Sequence, residues 1–182
     1  MKTAGALISL IYLFAPTFPV LSACCIAGEV RVAYGESREM SVEKEVVELV
    51  NRIRVKGARC GGRFYKGTRP VVWNDTLGKV SLEHSAAMAD NQRLGHTGSD
   101  GSSAGTRLAR FGYQWMTYGE NVGEGHRSPE EVVKGWAERR GHCENIMNPA
   151  FKEAGAAYVK VAGRIYWTLV LAAPELSSQI KP

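Results

Sequence analysis

Apolar residues recur along the middle of the chain at helical spacing and give way near its end to strand-like runs. Val42, Val46, Leu49, Val50 and Ile53 share one face, so the pattern predicts a helix over 41–55. Ser41 is its cap, and Glu43 and Glu45 fall in the first turn, where carboxylates suit the helix dipole. Leu77, Val80, His84, Ala87 and Met88 form a second stripe, predicting a helix over 75–93. A short helix is expected over 106–111. Ser128-Pro129-Glu130-Glu131 opens a further helix, with Ser as cap and Pro in the first turn. That helix carries Val132, Val133 and Trp136 and is expected to end near Gly141. Residues 157–161 and 165–171 read as two strands joined by a tight turn through Ala162-Gly163. Val71-Val72-Trp73 is a short extended segment, and Cys60-Gly61-Gly62 and 95–105 read as loops. Helices early, strands late and one body argue an α+β domain.

The N-terminus follows a different logic. Lys2 precedes an apolar run over 4–14, broken afterwards by Pro16 and Pro19. The run is too short for a membrane-spanning helix and reads as an export signal over 1–23. It ends in Leu21-Ser22-Ala23-Cys24, which resembles a bacterial lipobox with Cys24 as the acylated residue. Cleavage after Ala27 is the competing reading. Residues 24–40 are then a tether, 41–173 the domain and 174–182 a tail. The expected location is the cell envelope, on a membrane through the lipid (the outer membrane, facing the periplasm, in a cell that has one), or the secreted fraction.

Charge and cysteines refine this picture only a little. The formal charge is +5, carried by scattered Lys and Arg, and it is read first as a solvated basic face, with a weak preference for an anionic envelope surface as the alternative. Without a basic stripe interleaved with aromatics, no nucleic-acid partner is expected, and the chain is read as a monomer. With Cys24 acylated and Cys25 either a second acylation site or a free thiol, Cys60 and Cys143 remain as a pair in an oxidising compartment. They are expected to form a disulfide. The alternative, a nucleophilic Cys143 beside His142, is disfavoured because sequence neighbours rarely align for proton transfer.

Four further elements stand out in order. They are Leu82-Glu83-His84-Ser85-Ala86-Ala87-Met88-Ala89, His96-Thr97-Gly98-Ser99-Asp100-Gly101, Gly119-Glu120-Asn121, and Gly135-Trp136 followed by Gly141-His142-Cys143-Glu144-Asn145-Ile146-Met147. Together they resemble the bacterial branch of the CAP superfamily, which includes cysteine-rich secretory proteins, insect antigen 5 and plant pathogenesis-related proteins. The resemblance spans roughly 46–171 and implies an α-β-α sandwich. Bacterial members with Cys-Gly-Gly after the first helix and Gly-His-Cys later match Cys60 and Cys143, in support of the disulfide.

The resemblance also implies a cleft of two histidines and two acidic residues that holds a divalent metal such as zinc in some members. Carried over by motif, these fall on His96, Glu120 and His142. The second acidic position is Arg139 here, with Glu138 one step earlier and about 100° around the helix. Leu94-Gly95 replaces the usual aromatic-serine pair. His84 and Glu138 are secondary candidates, and His84 on its apolar stripe reads first as a hydrogen-bonded core histidine. Glu120 serves equally as a brace of its own loop, Asn121 and Asn145 as loop braces, Asp100-Gly101 as a turn and His126 as a surface residue. Trp73, Trp136 and Trp167 read as core or cleft-wall aromatics.

Two functions follow as expectations, with a purely structural, adhesin-like domain as a minor third. One is a non-enzymatic envelope module binding a lipid, glycan or peptide, with or without a divalent metal. The other is a metal-dependent hydrolase of envelope polymers or peptides, with His96 and His142 as ligands and Glu120 as general base. The missing second carboxylate favours the first.

Overall fold

The computed structural model describes residues 40–175. The export signal, Cys24, Cys25, nearly all of the tether and most of the tail lie outside the described residues.

Helix α1 (Val42–Lys56) starts at Ser41, whose side chain accepts from the Lys44 amide. Its expected stripe is its core face: Val46 and Val50 are fully buried, and Val42, Leu49 and Ile53 pack against the same cluster. Gly57 ends it with φ +82°, and a Cβ there would meet the Tyr65 carbonyl. The segment expected as loop is instead a hairpin of β1 (Ala58–Cys60) and β2 (Arg63–Tyr65). Gly61 and Gly62, with φ +56° and +91°, form its two-residue turn, a conformation that only glycine adopts freely. The glycine pair is legible as a turn; strands of three residues are too short to show alternation.

Next come β3 (Val72–Trp73) and α2 (Asp75–Asp90), capped by Asn74, which accepts from the Thr76 and Leu77 amides. Helix α2 stops three residues short of the expected 93, because Gln92 takes φ +48°. Helix α3 (Ala104–Arg110) follows, capped by Ser103. The stretch expected as a loop around Glu120 is a ten-residue strand, β4 (Trp115–Glu124). Its Gly, Glu and Asn residues have low strand propensity, and pairing with Tyr166–Pro174 of β6 (Arg164–Pro174) overrides it. In place of the one long helix expected from Ser128 to Gly141, two form, α4 (Pro129–Glu138) and α5 (Arg140–Met147), because Arg139 is extended at φ −94°, ψ 123°. Strand β5 (Glu153–Val161) then turns through Ala162 and Gly163, both at positive φ, into β6. Strand β6 reaches one residue into the expected tail.

The sheet order is β3-β5-β6-β4, with β3 parallel to β5 and the rest antiparallel. Helices α1, α4 and α5 cover one face around Trp136, Trp167, Leu169 and Leu171. Helices α2 and α3 cover the other, around Leu77, Val80, Leu108 and Val170. This is the expected α-β-α sandwich. Helix α2 lies so close to β5 that Gly155 has no room for a Cβ against Gly78. Ser81 and Ser85 donate across that contact to the carbonyls of Gly155 and Ala157.

Two devices hold α5 in place. Arg54 is fully buried and donates to the carbonyls of Arg69, Ile146, Asn148 and Phe151. In sequence it is one more cation of the basic face. Cys60 and Cys143 form the expected disulfide, Cα–Cα 5.4 Å, tying the hairpin to α5 across 83 residues of chain. Replacing both with serine is expected to lower the unfolding free energy in urea by ~2–5 kcal/mol. An unchanged midpoint would show that the bridge adds nothing.

Candidate functional site

The site is built where β4 meets the end of α2, the loop 91–103 and the start of α5. Alternate residues of a strand face opposite layers, and β4 uses both. Glu120 faces α2 and α3; Asn121 faces α5.

Glu120 is buried, with 4% of its side chain accessible, and both its oxygens are engaged. Arg107 of α3, itself buried, donates to Oε2 at 2.6 Å. His96 Nδ1 lies 2.9 Å from Oε1. His84 Nε2 lies 3.7 Å from the same oxygen and 2.8 Å from the Gly95 carbonyl. Arg107 also donates to the carbonyls of Ser102 and His96, so one guanidinium holds both ends of the His96 loop. Arg110 closes that loop from outside, pairing with Asp100 at 2.6 Å and Glu83 at 2.7 Å.

These contacts set the protonation states. The hydrogen bond to Glu120 raises the His96 pKa above its ordinary 6.5, although 58% of the side chain is exposed. Burial lowers His84, against the opposing pull of Glu120. Donation of Nε2–H to Gly95 leaves its Nδ1 as a buried acceptor with no partner among the described residues. Burial also lowers His142, helped by the charges of His96 and Arg139. Its Nδ1 is likewise buried and unpartnered among the described residues. Asn121 donates to the His142 carbonyl at 3.1 Å, and Asn145 donates to Asn121 at 2.9 Å and to the Glu120 carbonyl. These two asparagines thus brace a strand and a helix rather than loops.

The structure therefore brings His84, His96 and Glu120 together and places His142 near enough to sense the charge on His96. Glu138 stands apart: it is exposed and faces Lys134 on its own helix. Sequence reasoning misses Arg107. Its signal is an arginine between Ala104 and Leu108 on the buried side of a short helix. The aromatics are structural as expected: Trp136 and Trp167 are in the core, donating to Val122 and His126 carbonyls, and Trp73 is half-buried.

A metal would need more than this set offers. His96 held by Glu120 through Nδ1 has the orientation of a carboxylate-backed metal histidine. Yet each Glu120 oxygen already holds a partner, and among the described residues no three His, Cys, Asp or Glu side chains are arranged to hold a metal ion. The donors fall short of the three protein ligands of an open zinc site.

Beside His96 runs a groove of about 730 Å³, lined by polar groups of Asn91, Arg93, His96, Thr97 and Ser99 with Met88 and Leu94. The profile of the cysteine-rich secretory protein family, CAP, matches residues 47–171, which contain every element of this site. The chain belongs to the CAP family. It is 37% identical over 126 residues to the uncharacterized protein YkwD of Bacillus subtilis, covering 69% of this chain and 45% of that one. Among solved structures, it is similar to an extracellular SCP-domain protein of Bacillus anthracis (TM-score 0.61, 22% identity, 71% of this chain and 39% of that one). It is also similar to an outer surface protein of Borrelia burgdorferi (TM-score 0.57, 18% identity, 72% and 89%). The chain thus spans less than half of the two Bacillus proteins.

The signs of the three histidine shifts differ. A raised His96 adds stability that is full below the unfolded pKa near 6.5 and lost as pH rises through its folded pKa. The lowered His84 and His142 add stability that is full above 6.5 and lost as pH falls through theirs. NMR titration is expected to place His96 above 6.5 and His84 and His142 below it, with Glu120→Gln lowering His96. A His96 that titrates at or below 6.5 in the parent protein would contradict this geometry.

Proposed function

We propose that this chain is an exported cell-envelope module that binds, without cleaving, a carboxylate-bearing glycan or peptide in the groove beside His96. The observation that carries the reading is the engagement of both Glu120 oxygens by Arg107 and His96, which commits that carboxylate to holding those two side chains in place. Arg107 neutralises Glu120, while Arg93 lines the groove and Arg139 stands near His142. The surplus is positive and suits an anionic ligand. A groove lined mainly by amide, hydroxyl and cationic groups favours a glycan or peptide over an acyl chain.

Export is supported by the N-terminal signal pattern and by the extracellular and outer-surface descriptions of the two solved relatives. Acylation at Cys24, with the membrane as partner, belongs to the same proposal, as does a monomeric state. A divalent metal is the second reading. It would use the His96 and His142 imidazoles, and with them the hydrolase alternative would return.

The test uses residues 38–182, whose described part, 40–175, has its own core. Mixed with purified peptidoglycan sacculi, this domain is expected to sediment with them. Arg93→Ala/His96→Ala should bind about tenfold more weakly, and no new reducing ends or free amines should appear. Steady release of fragments, abolished by Glu120→Gln, would overturn the non-enzymatic reading. Stoichiometric zinc binding by calorimetry, lost in His96→Ala/His142→Ala, would establish the metal.

A further inference from the structure

The positive charge of this chain is concentrated in one stretch. Residues 49–74 contain seven Lys and Arg and no Asp or Glu; the remaining 16 basic residues are outnumbered by the 18 acidic ones. Of the seven, only Arg54 is buried. Arg52, Lys56, Arg59, Arg63, Lys66 and Arg69 are exposed. None of the six forms an ion pair among the described residues.

The six lie along the last turns of α1, the hairpin and the segment after it; Arg52 looks toward Glu130 of α4 and Arg63 toward Glu144 of α5. The chain after β2 returns along the last turn of α1, where the Thr68 amide donates to the Arg54 carbonyl. The hairpin therefore projects from the C-terminal end of α1, with Arg69 folded back beside it. Basic residues in a last helical turn suit the helix dipole, but Arg59, Arg63, Lys66 and Arg69 lie beyond the helix. Glu144, the nearby acid on α5, is already engaged by Arg140 and Tyr65.

Apolar side chains stand among the cations. In the hairpin register Arg59 faces Phe64, and Cys60 faces Arg63. Cys60 is buried, so Arg59 and Phe64 share the opposite, solvent-side face. Phe64 is 57% exposed with the Arg59 guanidinium 5.9 Å from its ring, and Val55 is 62% exposed. Cations interleaved with an exposed aromatic and an aliphatic residue match the interface of a bilayer, where phosphates meet acyl chains. A soluble polyanion would use the cations and leave Phe64 without a role.

We infer that the β1–β2 hairpin and the adjoining end of α1 dock this domain onto an anionic phospholipid bilayer. The disulfide fixes the hairpin to the body, so the surface is presented preformed. The inference is independent of the groove beside His96 and of any lipid on Cys24.

The test is sedimentation of residues 38–182, disulfide intact, with vesicles of phosphatidylcholine alone or with one-third phosphatidylglycerol. Binding to the mixed vesicles at low salt is expected, with little to phosphatidylcholine alone and a steep loss at high salt. Arg59→Gln/Lys66→Gln should weaken it by about tenfold or more, and Phe64→Ser by about fivefold. All three positions are exposed, and an unchanged unfolding midpoint confirms that the variants fold. Equal binding to both vesicle types, or unchanged binding by the Arg59→Gln/Lys66→Gln variant, would overturn the inference. So would retention on heparin as strong as on vesicles with Phe64→Ser neutral, which would mark a general polyanion site.

Discussion

The buried ion pair between Arg107 and Glu120 is the constraint on which the site depends. A lone carboxylate buried to this degree would be costly, and a lone guanidinium no less so. Here each is the other's counterion, and other protein groups take up further hydrogen bonds, while the Arg107 Nε–H stays buried without a partner among the described residues. Arg107 reaches the Ser102 and His96 carbonyls, and Glu120 accepts from His96. A single pair thereby joins α3, β4 and the loop between α2 and α3, three segments that share no regular hydrogen-bond ladder. It also fixes what the carboxylate touches: Glu120, paired at 2.6 Å with arginine, orients His96 through its other oxygen.

Strand β4 extends this arrangement through the sheet. Glu120 works on one face while its neighbour Asn121 holds the His142 carbonyl on the other, so the two histidines are referenced to one stretch of backbone. The position of His142 rests in turn on α5, which Arg54 ties through the carbonyls at its C-terminal end and the disulfide anchors through Cys143. The break at Arg139 is what separates α5 from α4, and the charge of that arginine then opposes protonation of His142.

Much of the sandwich is legible in sequence because long amphipathic stripes and caps read locally. Ser41 and Ser128 each start a helix, and the stripes of α1 and α2 are their core faces. The family motifs point to His84, His96 and Glu120, which the fold brings together. What escapes is set by tertiary pairing. Strand β4 is rich in Gly, Asn and Glu and becomes a strand only along β6. Arg107 and Arg54 look like surface cations, since burial of an arginine is visible only once its acceptors, drawn from distant segments, are in place. The run of seven Lys and Arg without an acid in 49–74 is visible in sequence, but the fold-back that lays Arg69 against α1 is not.

The most direct test is a double-mutant cycle on Arg107→Met and Glu120→Gln, read by urea unfolding. Each single change strands a buried charge or polar group and is expected to cost ~3–5 kcal/mol, while the double variant costs much less than their sum, a coupling of ~2 kcal/mol or more. Additive costs, within ~0.5 kcal/mol, would show that the two side chains do not depend on each other and would remove the foundation of the site.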